Sequence, residues 1–323
     1  MKRQDLVGVG IGLINDGEIA YCKGYGFANR EEKIAFTTKT VTNWASNSKP
    51  VVAVAALQLV EKGSLSLSES VRTYLPELPL IYKDITIRHL LCHQSGYPHY
   101  SNGKIVPLET NSLGTHKMDP LYSLRRFGAS PLIYKPGEKY SYSSYAYVIL
   151  SAVVQRAGKQ PLMEQLEQRI LEPLDITSFE LDVPYNAQKL WSVGYKRLGK
   201  EVKRVPDYTN YWKHGAGAYK TNIVDFAKWA RGLMNGDLLS DKMTAAMWSP
   251  QKTSNGKFTK AGLGVFVSNR GEKKMISHGG SHSEARSQME LFPDKKFGVV
   301  ILTNCGHADR SKLSAAIRGA LSN

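Results

Sequence analysis

The 323-residue chain has only three cysteines, Cys22, Cys92 and Cys305, an odd number with no paired spacing. That argues against a disulfide framework and leaves both reducing and oxidising compartments open. Long apolar runs are missing too: no stretch approaches the roughly 18 to 20 residues of a membrane-spanning helix. There is no Walker or dinucleotide glycine pattern, no Gly-x-Ser-x-Gly elbow, no internal repeat and no low-complexity tract. Acidic residues are scarce beside basic ones, 28 against 43, for a formal charge of +15. A basic surface attracts polyanions, but the charges are spread along the chain without a run of five or six. No usual nucleic-acid motif accompanies them, so the charge reads as solubility and nucleic acid is not expected as a partner.

What is present is a globular pattern, 42% hydrophobic, with a core's worth of apolar residues arranged in short elements. Residues 6–30, "LVGVGIGLINDGEIAYCKGYGFANR", read as two strands joined by an Asn-Asp-Gly hairpin turn. A helix is expected from about Ser46 to Lys62, closed by Gly63, and a second in "SYAYVILSAVVQRAG", again closed by a glycine. A third is expected in "TNIVDFAKWARGLMNG" with Thr221 as N-cap. The last third changes to short apolar or alternating runs, "GLGVFVS", "KKMISHGG", "RSQMELFP" and "FGVVILTN", which look like an antiparallel meander. An amphipathic helix capped by Asp309 or Ser311 ends the chain. Strands at both ends and helices between them imply an α+β fold. The expected unit is one catalytic domain over 1–323, with a sheet part roughly at 1–45 and 215–323 and a helical part roughly at 46–214.

Three segments can do chemistry. Ser46 and Lys49 stand one helical turn apart, so their side chains are neighbours, and a lysine whose charge is disfavoured can take a serine proton. At the helix start, the Ser46 N–H can also face a developing oxyanion. Tyr142 precedes the second helix; beside a lysine ammonium its phenolate would be favoured, making it a candidate proton shuttle. His278, Gly279 and Gly280 end a strand-like run, where glycines admit a substrate backbone and the Ser281 N–H can supply a second oxyanion donor.

In order and spacing, Ser46-Asn47-Ser48-Lys49, Tyr142-Ser143-Ser144 and His278-Gly279-Gly280 resemble the three active-site motifs of serine β-lactamases and penicillin-binding proteins. The likeness is greatest to the class C β-lactamase-related group, which takes in peptidase family S12, esterases, D-aminopeptidases and the mitochondrial serine β-lactamase-like protein. "ITIRHLLCHQSGYPHY", "PGEKYSYSSYAYVIL" and "GAGAYKTNIVDFAKW" resemble linking blocks of the same family, so the resemblance runs from about Val7 onward. It implies a β-lactamase/transpeptidase-like fold and an acyl-enzyme mechanism without cofactor or metal. Ser46 would be the nucleophile, Lys49 its partner base and Tyr142 the base for acylation or deacylation. His278 and the glycines would line the substrate strand, and the N–H groups of Ser46 and Ser281 would form the oxyanion hole. A periplasmic or surface location, with the cytoplasm left open, and a homo-oligomer are further expectations of the resemblance. So is a helix ahead of "MKRQDL", with an export or targeting segment, that has been lost or removed from this chain.

Two departures bear on substrate. Ser144 stands where lactamases carry Asn, as in the mitochondrial relatives. His278 stands where true lactamases and DD-peptidases carry Lys, and an imidazole is mostly neutral at pH 7, so it pairs weakly with a substrate carboxylate. Weak or no β-lactamase activity is therefore expected, with esters, amides or peptides lacking an adjacent carboxylate as substrates. Glu284 can read a substrate amine or pair with Arg286. His89, Cys92, His93 and His99 carry zinc-like spacing without an acidic partner or second cluster, and no metal is expected there. The alternative to a hydrolase is a weakly active member serving binding or filament assembly.

Overall fold

In the computed structural model, residues 1–321 are described except 111, 114, 184–189, 207–208 and 272. The helical part expected at 46–214 includes some of these positions, for which the expectation lies outside the described residues.

Strands from the two ends of the chain form one antiparallel sheet: β1 (Gly8–Asn15), β2 (Glu18–Asn29), β3 (Ile34–Ala35), β4 (Phe266–Arg270), β5 (Lys273–Ser281), β6 (Arg286–Phe292) and β7 (Phe297–Thr303). The order is β3-β2-β1-β7-β6-β5-β4, and β1 meets β7 with Val9 opposite Thr303 and Ile14 opposite Gly298. The first hairpin turns through Asp16 and Gly17, both at positive φ (53° and 82°), the conformation that Asp-Gly favours. The strand expected from Gly262 begins later, at Phe266.

Four longer helices pack around this sheet: α1 (Ser48–Glu61), α2 (Ser144–Gly158), α3 (Ile223–Asn235) and α4 (Arg310–Leu321). Side chains alternate across a strand, and β7 shows the consequence. Val300 and Leu302 join the main core with α1, α2 and α3, whereas Val299 and Ile301 face Leu313 and Ile317 of α4. Almost every residue of α1 is buried, including Lys49. Such a helix takes its place from packing on all sides, which holds its first turn rigidly. No helix among the described residues is long and apolar enough to cross a membrane.

Two helix ends differ from expectation. The N-cap of α3 is Asn222, whose side chain accepts from the Asp225 N–H at 2.9 Å, while the Thr221 hydroxyl pairs with Ser178 at 3.0 Å. The α2 helix runs through Gly158 and is closed by Lys159 in the left-handed conformation (φ 54°). A side chain at Gly158 would collide with Gln165, so the glycine serves packing and leaves the cap to its neighbour.

Candidate active site

The turn that delivers Ser46 is strained and braced. Ala45 has φ 49°, a left-handed value that costs a residue with a Cβ about 1–2 kcal/mol. Asn43 holds it by accepting from the Ala45 N–H at 2.7 Å, and the Ser48 hydroxyl donates to the Ala45 carbonyl at 2.7 Å. Ser287 of β6 donates to the Trp44 carbonyl at 2.5 Å and accepts from Asn47 at 2.7 Å. Ser46 lies in the 3-10 turn Ala45–Asn47 that leads into α1, so Lys49 follows it by one turn.

Lys49 is fully buried. Its Nζ lies 3.1 Å from Ser46 Oγ, 3.2 Å from Ser144 Oγ and 2.6 Å from the Ala216 carbonyl. All three partners are neutral. Burial, and next the positive charge of Lys213, hold its pKa well below the ordinary lysine value. The arrangement therefore favours a free amine against a serine hydroxyl.

Tyr142 lies with its ring 5.0 Å from Lys49 Nζ, and its hydroxyl faces Ser46 and Ser144. Its protonation differs from the sequence expectation. Burial pushes the phenol pKa up and outweighs the hydrogen bonds that lower it, so Tyr142 is a neutral phenol and not a phenolate. Lys49, whose burial disfavours its own charge, lends the anion little support. His93 sets this segment in place: its Nδ1 accepts from the Ser143 N–H at 3.2 Å, its carbonyl accepts from the Ser141 N–H at 2.9 Å, and its ring lies 4.3 Å from that of Tyr142. Ser144, the first residue of α2, is buried and donates its N–H to His99 Nδ1 at 3.2 Å.

The opposite wall is β5. His278 is buried, its Nδ1 at 3.1 Å from the Gly279 carbonyl, and burial foremost lowers its pKa to about 3, so it is neutral at every ordinary pH. The two glycines serve the protein's own packing. A Cβ at Gly280 would lie 2.2 Å from the Trp44 carbonyl, so only glycine lets β5 abut the turn that carries Ser46. A Cβ at Gly279 would lie 2.5 Å from the Arg310 guanidinium. Ser46, Tyr142, Ser144, His278, Gly279 and Ser281 line one cleft of about 560 Å³; Gly280 supports it from behind.

Among the cleft residues that escaped the sequence are two basic ones. Arg310, first in α4, lies over Gly279, donates to Gln288 Oε1 at 3.0 Å and to the Ser281 hydroxyl, and faces Tyr142 and His278. Lys213, on the turn Tyr211–Ala216, lines the other rim. Neither belongs to a motif, and a basic residue among 43 carries no signal in one sequence. No acidic side chain lines the cleft among the described residues. Glu284 makes no ion pair with Arg286, whose guanidinium donates instead to the carbonyls of His282 and Ala285.

The residues with zinc-like spacing have other partners. His89 accepts from the Thr86 N–H and completes the cap of the helix Ile87–Leu91, Cys92 is buried, and His99 contacts α2 as above. Among the described residues no group of three or more His, Cys, Asp or Glu is placed to hold a metal, and all three cysteines are free thiols.

The family model described as beta-lactamase matches residues 1–322. Among curated proteins, the chain is 24% identical over 313 residues to Protein flp of Staphylococcus aureus (strain N315), covering 94% of this chain and 61% of that protein. It is 27% identical over 304 residues to Penicillin-binding protein 4* of Bacillus subtilis (strain 168), covering 89% and 66%. The chain thus spans about three fifths to two thirds of the length of these relatives. Among solved structures, the octameric penicillin-binding protein homologue from Pyrococcus abyssi superposes with a TM-score of 0.81 at 25% identity, over 99% of this chain and 74% of that one. EstCE1, described as a hydrolase with promiscuous acyltransferase activity, gives a TM-score of 0.80 at 19% identity, over 94% and 90%, and speaks to fold alone.

Proposed function

The chain belongs to the beta-lactamase family, and on that premise we propose that it is a serine hydrolase acting through an acyl-enzyme on ester or amide bonds. One observation carries the proposal: a fully buried lysine amine, 3.1 Å from a serine hydroxyl, with no carboxylate to hold it as an ammonium among the described residues. The whole chain, 1–323, is taken as the catalytic domain, because the Ser46 turn, α2, β5 and α4 all contribute to one cleft.

In the proposed reaction Ser46 Oγ attacks the carbonyl carbon while Lys49 Nζ takes the hydroxyl proton. The N–H groups of Ser46 and Ser281 receive the oxyanion, each worth about 10²–10³ in rate when well aimed. Tyr142, a neutral phenol between Ser46 and Ser144, hands its proton to the departing oxygen or nitrogen and recovers one from the Lys49 ammonium. Water then attacks the acyl-enzyme, with Lys49 and Tyr142 reversing their parts. The role of Tyr142 is thus proton relay, in place of the base suggested by the family resemblance.

A neutral His278 cannot itself pair with a substrate carboxylate, which supports neutral esters and amides as substrates. Arg310 supplies a permanent cation on the same wall, so a carboxylate on the leaving group has a partner there. The Pyrococcus homologue is described as octameric, which makes a homo-oligomer the state to look for by light scattering. A fluorophosphonate probe read by intact mass tests the main proposal. The wild type gains one adduct and Ser46→Ala gains none; equal labelling of both, or labelling of neither, overturns it and leaves the binding or filament-forming alternative.

A further inference from the structure

We propose that Asp182, outside the cleft, is a positioning residue that ties the turn carrying Ser46 to the turn that meets the Lys49 amine. The inference rests on the reading of Ser46 as nucleophile and Lys49 as its base. Asp182 is 1% exposed and follows the short strand Glu180–Leu181. That strand belongs to a small three-stranded sheet, in which Tyr219–Thr221 lies between it and Thr42–Asn43. Both turns adjoin this sheet: the Ser46 turn leaves it after Asn43, and the turn Tyr211–Ala216 enters it at Tyr219.

One carboxylate oxygen is shared by the two turns. Asp182 Oδ2 accepts from the Asn43 side chain at 2.9 Å, and Asn43 Oδ1 accepts from the N–H of the strained Ala45 at 2.7 Å. The same Oδ2 accepts from the Asn210 N–H at 3.1 Å and from the Asn210 side chain at 2.9 Å. Asn210 opens the second turn, where its carbonyl accepts from the Lys213 N–H at 2.8 Å and His214 is strained at φ 35°. The far end of that turn is closed through backbone, the Gly217 and Ala218 N–H groups donating to the His214 carbonyl at 3.1 and 2.9 Å. Within it lies Ala216, whose carbonyl is 2.6 Å from Lys49 Nζ. Asp182 Oδ1 pairs with Lys220 at 2.8 Å, and that ammonium lies 3.8 Å from the centroid of the Trp191 ring. The ion pair offsets the burial of the carboxylate, while the amide bonds give it direction. Strained turns persist only where the surroundings hold them, and here one side chain holds two. Because Asp182 is not among the residues lining the cleft, it bears on the rate and not on the binding of substrate.

The test is fluorophosphonate labelling followed over time by intact mass, which gives both the fraction of competent sites and the rate at each. It is run beside kcat and KM for a short-chain aryl ester. In Asp182→Asn one acceptor becomes an amide donor, which then faces the N–H groups of Lys220 or those of Asn43 and Asn210. Every site is expected to label, but about 100-fold more slowly, the scale of a misplacement of about 1 Å. The ester kcat should fall in step while KM holds. Fewer competent sites labelling at an unchanged rate would make Asp182 merely structural and overturn the proposal. Lys220→Met removes the ion pair and keeps the amide bonds, so the thermal midpoint should drop while labelling stays within about threefold of wild type. A loss there as large as in Asp182→Asn would assign the effect to the charge pair and also overturn it. Should Asp182→Asn fail to fold, Asn210→Ala, which loosens the second turn alone, is expected to slow labelling about tenfold; an unchanged rate overturns the proposal. If the wild type neither labels nor turns over the ester, the hydrolase reading fails, and a crystal structure of the variant decides the tie. A Lys49–Ala216 separation beyond hydrogen-bond range supports it, and an unmoved one refutes it.

Discussion

The two walls of the cleft are built on opposite electrostatic plans. The helical wall, formed by the Ser46 turn, α1 and the start of α2, brings an amine, a phenol and hydroxyls together with no carboxylate among them; Lys49 and Ser144 are buried, Ser46 and Tyr142 half-buried. The rim and strand wall brings neutral imidazole on β5 and two cations, Lys213 and Arg310, that come from outside it. In the proposed reaction the first wall moves a proton and the second faces the substrate. The difference shows why the sequence exposed the motif residues of both walls and hid the two basic side chains that reach the cleft from elsewhere.

Lys49→Met gives the largest expected effect, because it removes the base and keeps a side chain of similar length. Acylation by the fluorophosphonate probe should fall roughly 10³–10⁴-fold. The thermal midpoint should hold or rise, since a buried amine gives way to a thioether that needs no hydrogen bonds. A large fall in stability would mean that Lys49 is chiefly structural and that the contrast between the walls is misplaced.

The helical wall was legible because its chemistry is local. Ser46 and Lys49 are three residues apart, and helical geometry alone makes them neighbours; Tyr142 and the glycine pair sit at the edges of visible apolar runs. The sheet was legible for the same reason, since hairpin turns and alternation are short-range signals. Lys213 and Arg310 reach the cleft only because a turn and the first residue of α4 pack there, which periodicity does not encode. The neutral phenol of Tyr142 is hidden for a related reason: burial, a tertiary property, dominates its protonation, and one sequence reports burial poorly.

Acid stability is the next largest effect. His214 and His278 are each about 2% exposed, with folded pKa values lowered by burial to about 3, against about 6.5 when unfolded. Between these values the unfolded chain binds more protons, so stability is full above about pH 6.5 and falls as pH drops toward 3. At pH 5 the loss is about 2 kcal/mol for each of the two as an upper figure. Urea midpoints at pH 7.5 and 5 should show it, and His278→Asn should remove about half of the His214–His278 share. Midpoints that do not change with pH would mean the strand wall is wetter than its packing implies.

Arg310→Met isolates the charge of the strand wall. For a pair of aryl esters differing only in a carboxylate on the leaving group, KM should rise about tenfold for the acid and little for the neutral ester, the scale of one charge-assisted hydrogen bond. Equal effects on both esters would assign Arg310 to packing over Gly279 and return the substrate argument to His278 alone.

The smallest effect concerns the far end of the helical wall. Lys159 is an exposed side chain held at φ 54°, where glycine avoids a clash with its own backbone. Lys159→Gly should therefore raise stability by about 0.5–1 kcal/mol. Gly158→Ala should lower it, because its Cβ would fall 2.0 Å from Gln165 Oε1. The glycine visible in the sequence and the residue that closes α2 are thus separated by opposite signs in one urea titration. Labelling of Ser46 should be unchanged in Lys159→Gly, because Ser144 is fixed at the other end of α2 by Lys49 and His99. A change in labelling would show instead that the proton-moving wall depends on the whole length of the helix.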